Sequence, residues 1–347
     1  MEQVLKFQPI RFSKEAGMPE VYREDVWFDP MGDRARDHRA IASHERPPKP
    51  TRVRAPRALR RPPMTPGDVL RHVMLNDPAS ALACADARGL RHLNEQMLTI
   101  LEACHRVDTA RRQLLNTLKA QKTLESVSHI LAARVEAGLS ECLEQRKLAL
   151  RLADARRSVT EAIGAWDGAS KQFSRLTRLL PAQLGALPEG FEPVDPAEID
   201  RLADASALNC PQTQDCLRQL ARERARRRGS PAVWTGPSPD DLSAWVLRLH
   251  QARDETIGRF AAARETYLQA VMDCGLAQAR VAQACDARRL AEAGFRIGAR
   301  GALEFAAAVC DQSRLCNELL GFAAQACMAR HGLYAMALLL PEQFDLR

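Results

Sequence analysis

Histidine, cysteine and paired carboxylates are the residues of this chain that could do chemistry, and their spacing decides whether they do. No histidine has a His or acidic partner in a recognised metal-ligand motif. The eight histidines are His38, His44, His72, His92, His105, His129, His250 and His331. The sequence contains no G-x-S-x-G, Walker or G-x-G-x-x-G motif. These patterns predict no metal, cofactor-binding or catalytic site.

The acidic pairs and the cysteines have equally plain interpretations. Asp240-Asp241 falls at a helix start and Asp254-Glu255 on an Arg-rich helix, so capping or solvation explains both pairs. The ten cysteines form no C-x-x-C and no zinc-finger spacing; they are Cys84, Cys104, Cys142, Cys210, Cys216, Cys274, Cys285, Cys310, Cys316 and Cys327. Met1–Phe12 has no apolar signal segment, which favours a reducing compartment with free thiols. We therefore expect a protein that is not an enzyme.

Arginine supplies most of the positive charge, with a formal net charge of +7 and a pI of about 9.0. Two clusters stand out, namely Arg52, Arg54, Arg57, Arg60 and Arg61, and Arg222, Arg224, Arg226, Arg227 and Arg228. Guanidinium groups bind carboxylates and phosphates, so an acidic protein surface or a nucleic acid would fit, as would plain solvated charge. No aromatic residues are interleaved with the clusters, which disfavours single-strand recognition.

The elements that carry these residues are predicted to be helical. Aromatic residues make up only 5% of the chain, and few β-branched residues are present to build a sheet. We predict an all-α protein, an elongated coiled-coil or long-helix rod with a proline-rich extended N-terminal segment. The most apolar run, Leu333–Leu340, is too short to span a bilayer, so no transmembrane segment is expected.

Proline and turn residues divide the chain into four predicted segments. Residues 1–64 hold nine of the 20 prolines and are predicted to form an extended strap. Residues 65–180 form a first long-helix segment, 181–237 a linker with a short helix at about 196–227, and 238–347 a second long-helix segment. The two long segments begin with similar Thr-Pro-x-Asp and Ser-Pro-x-Asp signals, a hint of internal duplication.

Helix starts are marked by an oxygen-bearing cap before a proline. The cap side chain accepts a hydrogen bond from an otherwise unpaired backbone N–H, and proline has no N–H to leave unpaired. The signals are Thr65-Pro66-Gly67-Asp68, Asp77-Pro78, Asp195-Pro196-Ala197-Glu198 and Ser238-Pro239-Asp240-Asp241. In the third signal, Glu198 stands at the capping-box position.

Apolar residues recur at the spacing of a coiled-coil seam in both long segments. In the first they are Leu93, Met97, Ile100, Cys104, Val107, Leu114 and Leu118, then a lapse over Gln121–Ser128, then Val135, Leu139 and Cys142. In the second they are Phe260, Tyr267, Val271, Cys274, Val281 and Cys285. The lapse predicts a stutter or a short break, Gly298 and Gly301 predict a kink, and Pro341 predicts the end of the last helix. A proline at Leu139 is expected to break the first rod.

Several short segments share residues with a known family and occur in the same order. They are Glu141-Cys142-Leu143-Glu144-Gln145-Arg146, Arg151-Leu152-Ala153-Asp154 with Val159, Glu198-Ile199-Asp200 with Ser206-Ala207-Leu208-Asn209, Leu242-Ser243-Ala244-Trp245, Ala277-Gln278-Ala279-Arg280-Val281-Ala282 and Gly294-Phe295-Arg296. On these segments the chain resembles the tektin family of coiled-coil proteins in ciliary and flagellar doublet microtubules. The family's nonapeptide beginning Arg-Pro-Asn is absent.

The resemblance implies a tektin-like filament or microtubule inner component, which stabilises the axoneme of a cilium or flagellum. The expected partners are tubulin and other axonemal structural proteins, with no small-molecule substrate, and the expected location is the cytoskeleton of the cytoplasm. Two alternatives from other classes stay open. One is a basic helical nucleic-acid-associated protein, and the other is a cytoplasmic or membrane-surface coiled-coil scaffold.

Overall fold

The structure is a computed structural model that describes residues 63–76, 87–187, 191–229 and 239–346. The all-α prediction is confirmed: apart from one isolated bridge between Met64 and Leu184, the regular structure of these ranges is helical. The α-helices are α1 (Pro66–Asn76), α2 (Ala87–Glu136), α3 (Cys142–Thr177), α4 (Pro196–Asn209), α5 (Pro211–Gly229), α6 (Pro239–Arg296), α7 (Ala302–Met336) and α8 (Leu340–Gln343), with a short 3₁₀ turn at Pro181–Gln183. The predicted strap at 1–64 lies almost wholly outside the described residues.

The predicted cap residues stand at two helix starts. Thr65 and Asp68 form a reciprocal cap on α1, because the Asp68 amide donates to Thr65 Oγ1 and the Thr65 amide donates to Asp68 Oδ2. Asp195 caps α4 by accepting from the Ala197 amide at 2.8 Å. The carboxylate of Glu198 accepts from the guanidinium group of the neighbouring Arg201 rather than closing a capping box. The signal at residues 77–78 lies outside the described residues.

The chain reverses direction where continuous rods were predicted. Of the stutter or short break expected over Gln121–Ser128, the short break is wrong, because α2 runs unbroken to Glu136 and buries Leu124 and Val127. The expected kink near Gly298 is instead a hairpin turn between α6 and α7. A second hairpin turn, at residues 137–141, joins α2 to α3. Each long-helix segment therefore contains a helical hairpin.

Both reversals use the same backbone device. Gly138 and Gly298 have φ values of 73° and 75°, in the left-handed region that favours glycine. In each turn the glycine amide bonds to the carbonyl three residues earlier, and the following amide bonds to the carbonyl five residues earlier. These bonds satisfy the last carbonyls of α2 and α6, and so the two helices end here.

Leu139 lies in the first of these turns and not in a helical seam. Its side chain is 78% exposed, so the predicted seam contact of Leu139 is wrong. Its amide donates to the carbonyl of Arg134 at 2.8 Å. A proline at this position would remove that turn bond, but it would not interrupt a rod.

Four long helices form one open layer in the order α6–α7–α2–α3. Helix α7 packs against α6 on one side and α2 on the other, α3 packs along α2, and a smaller contact joins α3 to α7. Neighbouring helices are antiparallel. The hairpin turns make α2 antiparallel to α3 and α6 antiparallel to α7. Helix α2 is antiparallel to α7 because Asn116 contacts Asn317, whereas the earlier His105 contacts the later His331. No more than a marginal contact joins α3 and α6 in the described part of the chain.

Three apolar clusters hold together the four-helix layer and the elements packed on it, which are α1, α4 and the C-terminal residues. Near the turns, one cluster draws on all four long helices; its buried members are Leu124, Val127, Leu131, Leu148, Leu152, Ala291, Phe295, Ala302, Phe305, Ala306 and Val309. At the other end, a second cluster packs α1 against α2, α3 and the C-terminal residues. The third lies where α4 covers α6 and α7, around Leu202, Phe260 and Tyr267. The two hairpin turns therefore lie at the same end of the layer.

The central seam between α2 and α7 carries a polar network instead of a purely apolar contact. The Asn116 amide group donates to Asn317 Oδ1 at 2.8 Å and to the Ser313 carbonyl at 2.9 Å. Gln113 donates to the Asn317 carbonyl at 3.1 Å, and the Asn317 amide group donates to Thr117 Oγ1. Because shifting one helix by a turn would break these bonds, the network sets the register of the seam.

The linker and the C-terminus also differ from the prediction. The short helix expected at about 196–227 is two helices, α4 and α5, which meet at Cys210 before Pro211. Helix α7 ends at Met336, before the expected stop at Pro341, and Leu338 adopts a φ of 57° in the turn that follows. Pro341 lies inside the first turn of α8, where its missing N–H costs no hydrogen bond.

Candidate functional site

The histidines do not converge on a metal or catalytic centre. His38 and His44 lie outside the described residues, and four others are spread over α1, α2 and α6, namely His72, His92, His129 and His250. Within the described ranges, no group of three or more His, Cys, Asp or Glu side chains is arranged to hold a metal ion. The prediction of no metal, cofactor-binding or catalytic residues stays a prediction.

His105 and His331 are the exception, because they meet in the central seam. Their ring centroids are 5.8 Å apart, and the His331 ring also lies 5.5 Å from that of Phe344. Gln343 Oε1 is 3.0 Å from His331 Nδ1. Burial lowers the pKa of each imidazole to about 4. Both rings are thus neutral at pH 7 and serve as packing groups in an apolar setting.

The remaining sequence features of interest lie on the surface or outside the described ranges. Asp254 and Glu255 are exposed on α6, as expected for solvated charge. Of the two arginine clusters, the one at residues 52–61 lies outside the described residues. In the other, Arg222 and Arg224 are exposed on α5. The nine cysteines of the described ranges are free thiols.

A buried carboxylate in α2 clamps the segment after α3. Asp108 is 4% exposed and accepts from Arg111 Nη2 at 2.5 Å and from Arg112 Nε at 2.7 Å. Arg111 also donates to the Leu184 and Gly185 carbonyls at 3.2 Å, and Arg112 donates to the Leu187 carbonyl. The cluster fixes the chain between α3 and α4 and is structural, since its charges are satisfied within the fold.

The surface that the fold leaves unexplained is an apolar stripe along α6, the edge helix of the layer. We call it the α6 stripe; it consists of Ile257, Leu268, Met272, Leu276 and Leu290, whose exposed fractions range from 44% to 63%. At about 100° per residue these five positions fall within roughly 100° of one another around the helix axis. Large apolar side chains aligned along one exposed face mark an interaction surface more often than single exposed residues do.

In the α6 stripe, Met272, Leu276 and Leu290 face away from the described part of the chain, whereas Ile257 and Leu268 border α4. The buried residues of α6, which include Phe260, Tyr267 and Cys274, occupy the opposite side of the helix. These three belong to the seam that the sequence predicts, and the two aromatic members pack in the cluster shared with α4 and α7. The residues of the α6 stripe also repeat at helical spacing in the sequence. The predicted seam alone accounts for the helical periodicity, however, so the sequence analysis missed the α6 stripe.

A groove runs beside one part of the stripe. It has a volume of about 390 Å³ and lies between α4 and α6, where Ile199 and Ala203 face Ile257 and Leu268. Arg264 and Glu265 border the groove from α6 and place both signs of charge at its edge. The stripe and groove together form an apolar surface with a charged rim, the usual anatomy of a protein interface.

No helix in the described ranges combines the length and the apolar character that crossing a bilayer requires.

Comparison with known proteins gives matches in structure alone. No protein-family model and no curated protein sequence matches the chain. A solved membrane protein from Pseudomonas aeruginosa aligns over 78% of this chain and 70% of its own, with 16% identity and a TM-score of 0.52. The structure of CusC, studied for its folding and transmembrane channel formation, aligns over 78% of this chain and 74% of its own, with 13% identity and a TM-score of 0.52.

These neighbours overturn the tektin resemblance. The fold is similar to that of the Pseudomonas aeruginosa membrane protein and of CusC, and not to that of an axonemal filament protein. The expected axonemal function, the tubulin and axonemal partners and the ciliary, cytoskeletal location are therefore wrong. The nucleic-acid and coiled-coil scaffold alternatives gain no support from the fold either.

Residues that carried the resemblance have local structural roles. Glu144 lies at the start of α3, and its Oε1 accepts from the Leu303 amide of the other hairpin at 3.4 Å. Phe295 stacks on Phe305 at 5.6 Å, just before the α6–α7 turn. Arg248 lies over the ring of Trp245 at 4.8 Å. Helical hairpins of unrelated families need similar residues at their turns and seams. The short segments shared with tektins therefore did not indicate a common family.

Proposed function

We propose that this chain is a non-enzymatic structural subunit whose helices form part of the wall of an oligomeric channel. The observation that carries the proposal is the open four-helix layer, whose edge helix α6 exposes an apolar stripe. A closed four-helix bundle would cover that stripe with α3, but α3 lies at the opposite edge. The neighbours named for a membrane protein and for transmembrane channel formation support the choice of channel over filament.

The alternation of helix directions supports closure by further copies of the chain. Helix α6 runs towards the hairpin turns and α3 runs away from them. If α6 of one copy packs beside α3 of the next, the antiparallel order continues without a break. Such a contact joins two different surfaces, and repeating it closes a ring when the rotation between copies is a whole fraction of a full turn.

The exposed face of α3 offers a counterpart to the α6 stripe. Leu143 and Leu150 are exposed one heptad apart, followed at the same spacing by Arg157, Gly164 and Lys171. Counted from the hydrogen bond between Glu144 and Leu303, Leu150 lies within about one turn of the level of Leu290. These exposed leucines would then cover each other in the ring.

Further from the hairpin turns, a glycine on α3 lies near the level of two long side chains of the α6 stripe, Met272 and Leu276. Counted from the Glu144–Leu303 hydrogen bond, Gly164 lies at about the level of Leu276, with Met272 about one turn further along. Nothing lies within 4 Å of the position that the Cβ of Gly164 would occupy. The two long side chains of a neighbour can fill this space. At the next heptad, Lys171 lies less than two turns from the level of Glu265, a distance that the two long side chains can span to form an oppositely charged pair at the rim.

The energy of the stripe favours a closed ring over an isolated pair. Covering five half-exposed apolar side chains stabilises a contact by roughly 5 kcal/mol, taking about half of the 1.5–3 kcal/mol for full burial of each. That is close to the lower estimates of the cost of association, about 4 kcal/mol. Each subunit of a ring makes two such contacts, one through each edge, so a ring is better stabilised per subunit than a dimer.

Native mass spectrometry of the full chain tests the proposal, followed by electron microscopy of the largest species. We expect an oligomer that appears as a ring with an open centre. Replacing Met272 and Leu276 together by Glu should convert it to monomer with unchanged helicity by circular dichroism. Ala262→Glu is the matched control, because Ala262 is exposed on α6 but lies off the stripe.

A zero-length carbodiimide cross-link tests the register of the contact. The reagent should join Lys171 of one copy to Glu265 of another, which mixed isotope-labelled and unlabelled chains would reveal. The two residues lie on opposite edges of the layer, so the product can form only between copies. A wild-type chain that stays monomeric, or an oligomer that the stripe variant leaves intact, would refute the proposal.

A further inference from the structure

The packing between α6 and α7 has a constant register. Phe295 stacks on Phe305 at 5.6 Å near the turn, and further along Arg288 Nη1 donates to Gln312 Oε1 at 2.7 Å. As the residue number falls along α6, it rises by the same amount along α7. Residues opposite each other in this seam can therefore be read directly from the sequence.

Four of the cysteines stand opposite each other in that register. Cys285 of α6 faces Cys316 of α7, and Cys274 of α6 faces Cys327 of α7. The two pairs are separated by eleven residues on each helix. Eleven residues make close to three helical turns, so both pairs lie on the same side of the seam. Their spacing along the helix axis is roughly 16 Å at 1.5 Å per residue.

Side-chain contacts place these thiols in the seam. The Gln312 amide group donates to Cys285 Sγ at 3.0 Å, which shows that Cys285 points at α7. Cys316 lies one helical turn beyond Gln312 on the same face of α7. Burial raises the pKa of Cys316 to about 11, and the neighbouring Cys285 adds to that rise. Cys274 likewise adds to the effect of burial on the pKa of Cys327, so each thiol lies within electrostatic range of its partner.

We propose that Cys285–Cys316 and Cys274–Cys327 are two disulfide sites that link the edge helix α6 covalently to α7. The oxidant is a low-molecular-weight disulfide. One protein thiol loses its proton and attacks the small disulfide, which releases one small thiol and leaves a mixed disulfide. The partner thiol then loses its proton and displaces the second small thiol. For each site two cysteines are oxidised to cystine, and one small disulfide is reduced to two thiols.

The two sites differ in access. Cys285 and Cys316 are both partly exposed, whereas Cys274 is 8% exposed. The Cys285–Cys316 site therefore oxidises first, and the inner site follows more slowly because an oxidant reaches it less easily. Both bonds would lie within one chain and would stiffen the helix that carries the α6 stripe. The inference does not depend on ring formation.

Peptide mapping of the oxidised full chain tests the proposal. The chain is incubated with oxidised glutathione, free thiols are blocked with N-ethylmaleimide, and the unreduced digest is analysed by mass spectrometry. We expect two linked peptide pairs, joining Cys285 to Cys316 and Cys274 to Cys327, with the first pair appearing earlier. Isotope-mixed chains should yield no mixed pair, because each bond forms within one chain.

Alanine variants separate the two sites and give a second readout. Cys285→Ala should abolish only its own link, leave Cys316 open to alkylation and preserve the inner link. Cys210→Ala, just before α5, is the control and should preserve both. Oxidation should raise the urea midpoint of the wild type and have no such effect when Cys274 and Cys285 are both replaced by Ala. Alkylation of all four seam thiols after oxidation, or a mixture of unrelated pairings, would overturn the assignment.

Discussion

Removing the Asp108 carboxylate tests how much the buried charge cluster of α2 contributes to stability. In Asp108→Ala, the guanidinium groups of Arg111 and Arg112 keep their bonds to the backbone carbonyls of residues 184–187 but lose their counter-charge. They cannot move far into water, because their side chains are only 27% and 21% exposed. The variant therefore leaves two positive charges close together in a partly buried setting.

The magnitude follows from the burial of the three groups. Breaking a buried ion pair by removing one partner costs about 3–5 kcal/mol. Asp108 is almost fully buried, but both arginines retain some solvent, which places the expected loss near the lower end, at about 3 kcal/mol. The exposed pair of Asp154 and Arg157 gives the contrast, because their side chains are 71% and 72% exposed and such pairs contribute about 0–1 kcal/mol.

Urea unfolding followed by circular dichroism measures both variants on the same scale. Asp108→Ala should lower the free energy of unfolding by about 3 kcal/mol, and Asp154→Ala by less than about 1 kcal/mol. Both should keep the helicity of the wild type in buffer. If the two losses agree within about 0.5 kcal/mol, the clamp contributes no more than a surface pair and the reasoning fails.

Three further predictions concern the seam and the turns. The pKa of His105 and of His331 is about 4 in the folded chain, against about 6.5 in the unfolded chain, so the unfolded chain binds more protons below pH 6.5. Each residue should therefore lower the free energy of unfolding by roughly 2 kcal/mol between pH 7 and pH 5. A free energy of unfolding that stays constant over this range would contradict the prediction. Gly138→Ala should destabilise by about 1–2 kcal/mol because its φ is positive, whereas Gly164→Ala inside α3 should stabilise by up to about 1 kcal/mol; equal effects in urea unfolding would exclude the turn argument. Asn116→Ala should cost about 1–3 kcal/mol, since its acceptors on α7 are left unpaired, and a neutral change in the same assay would mean that water replaces it.

Helical content and helix starts could be predicted because both depend on local chemistry. The cap at Thr65 and the cap at Asp195 each need only residues within one turn, and both form. The buried faces of α2 and α6 were also predicted in part, since Leu93, Met97 and Tyr267 repeat at helical spacing and are buried. These features require no knowledge of what the helices pack against.

The points of reversal could not be predicted from periodicity. The polar Thr117 occupies the seam just before Gln121–Ser128, and within that range the buried positions move to Leu124 and Val127, off the spacing of the earlier residues. A continuous helix therefore has the sequence pattern of a break. At Gly138 the pattern continues through Leu139 into α3, so a turn has the pattern of a helix. A glycine followed by a leucine fits both a weakened helix and a helix end, and only the tertiary contacts of the two hairpins decide between them.

The α6 stripe could not be predicted from the sequence for a related reason. Helix α6 carries two apolar faces, one through Tyr267 and one through Met272. The first face alone satisfies the expectation of a helical seam, so periodicity gave no reason to look for a second. Which face contacts the chain itself and which stays uncovered depends on the order of the helices in the layer, and that order is set by non-local packing of α7 between α6 and α2.

The central seam has a consequence for how the protein folds. Each hairpin joins segments close in sequence, and the contact between Arg106 and Gln172 spans only 66 residues. The bond between Asn116 and Asn317 spans 201 residues. Loop-closure entropy therefore favours early formation of the two hairpins and late docking of one on the other. A polar network at the last interface to form makes the final step selective, because a misregistered pair of finished hairpins would bury unpaired amides.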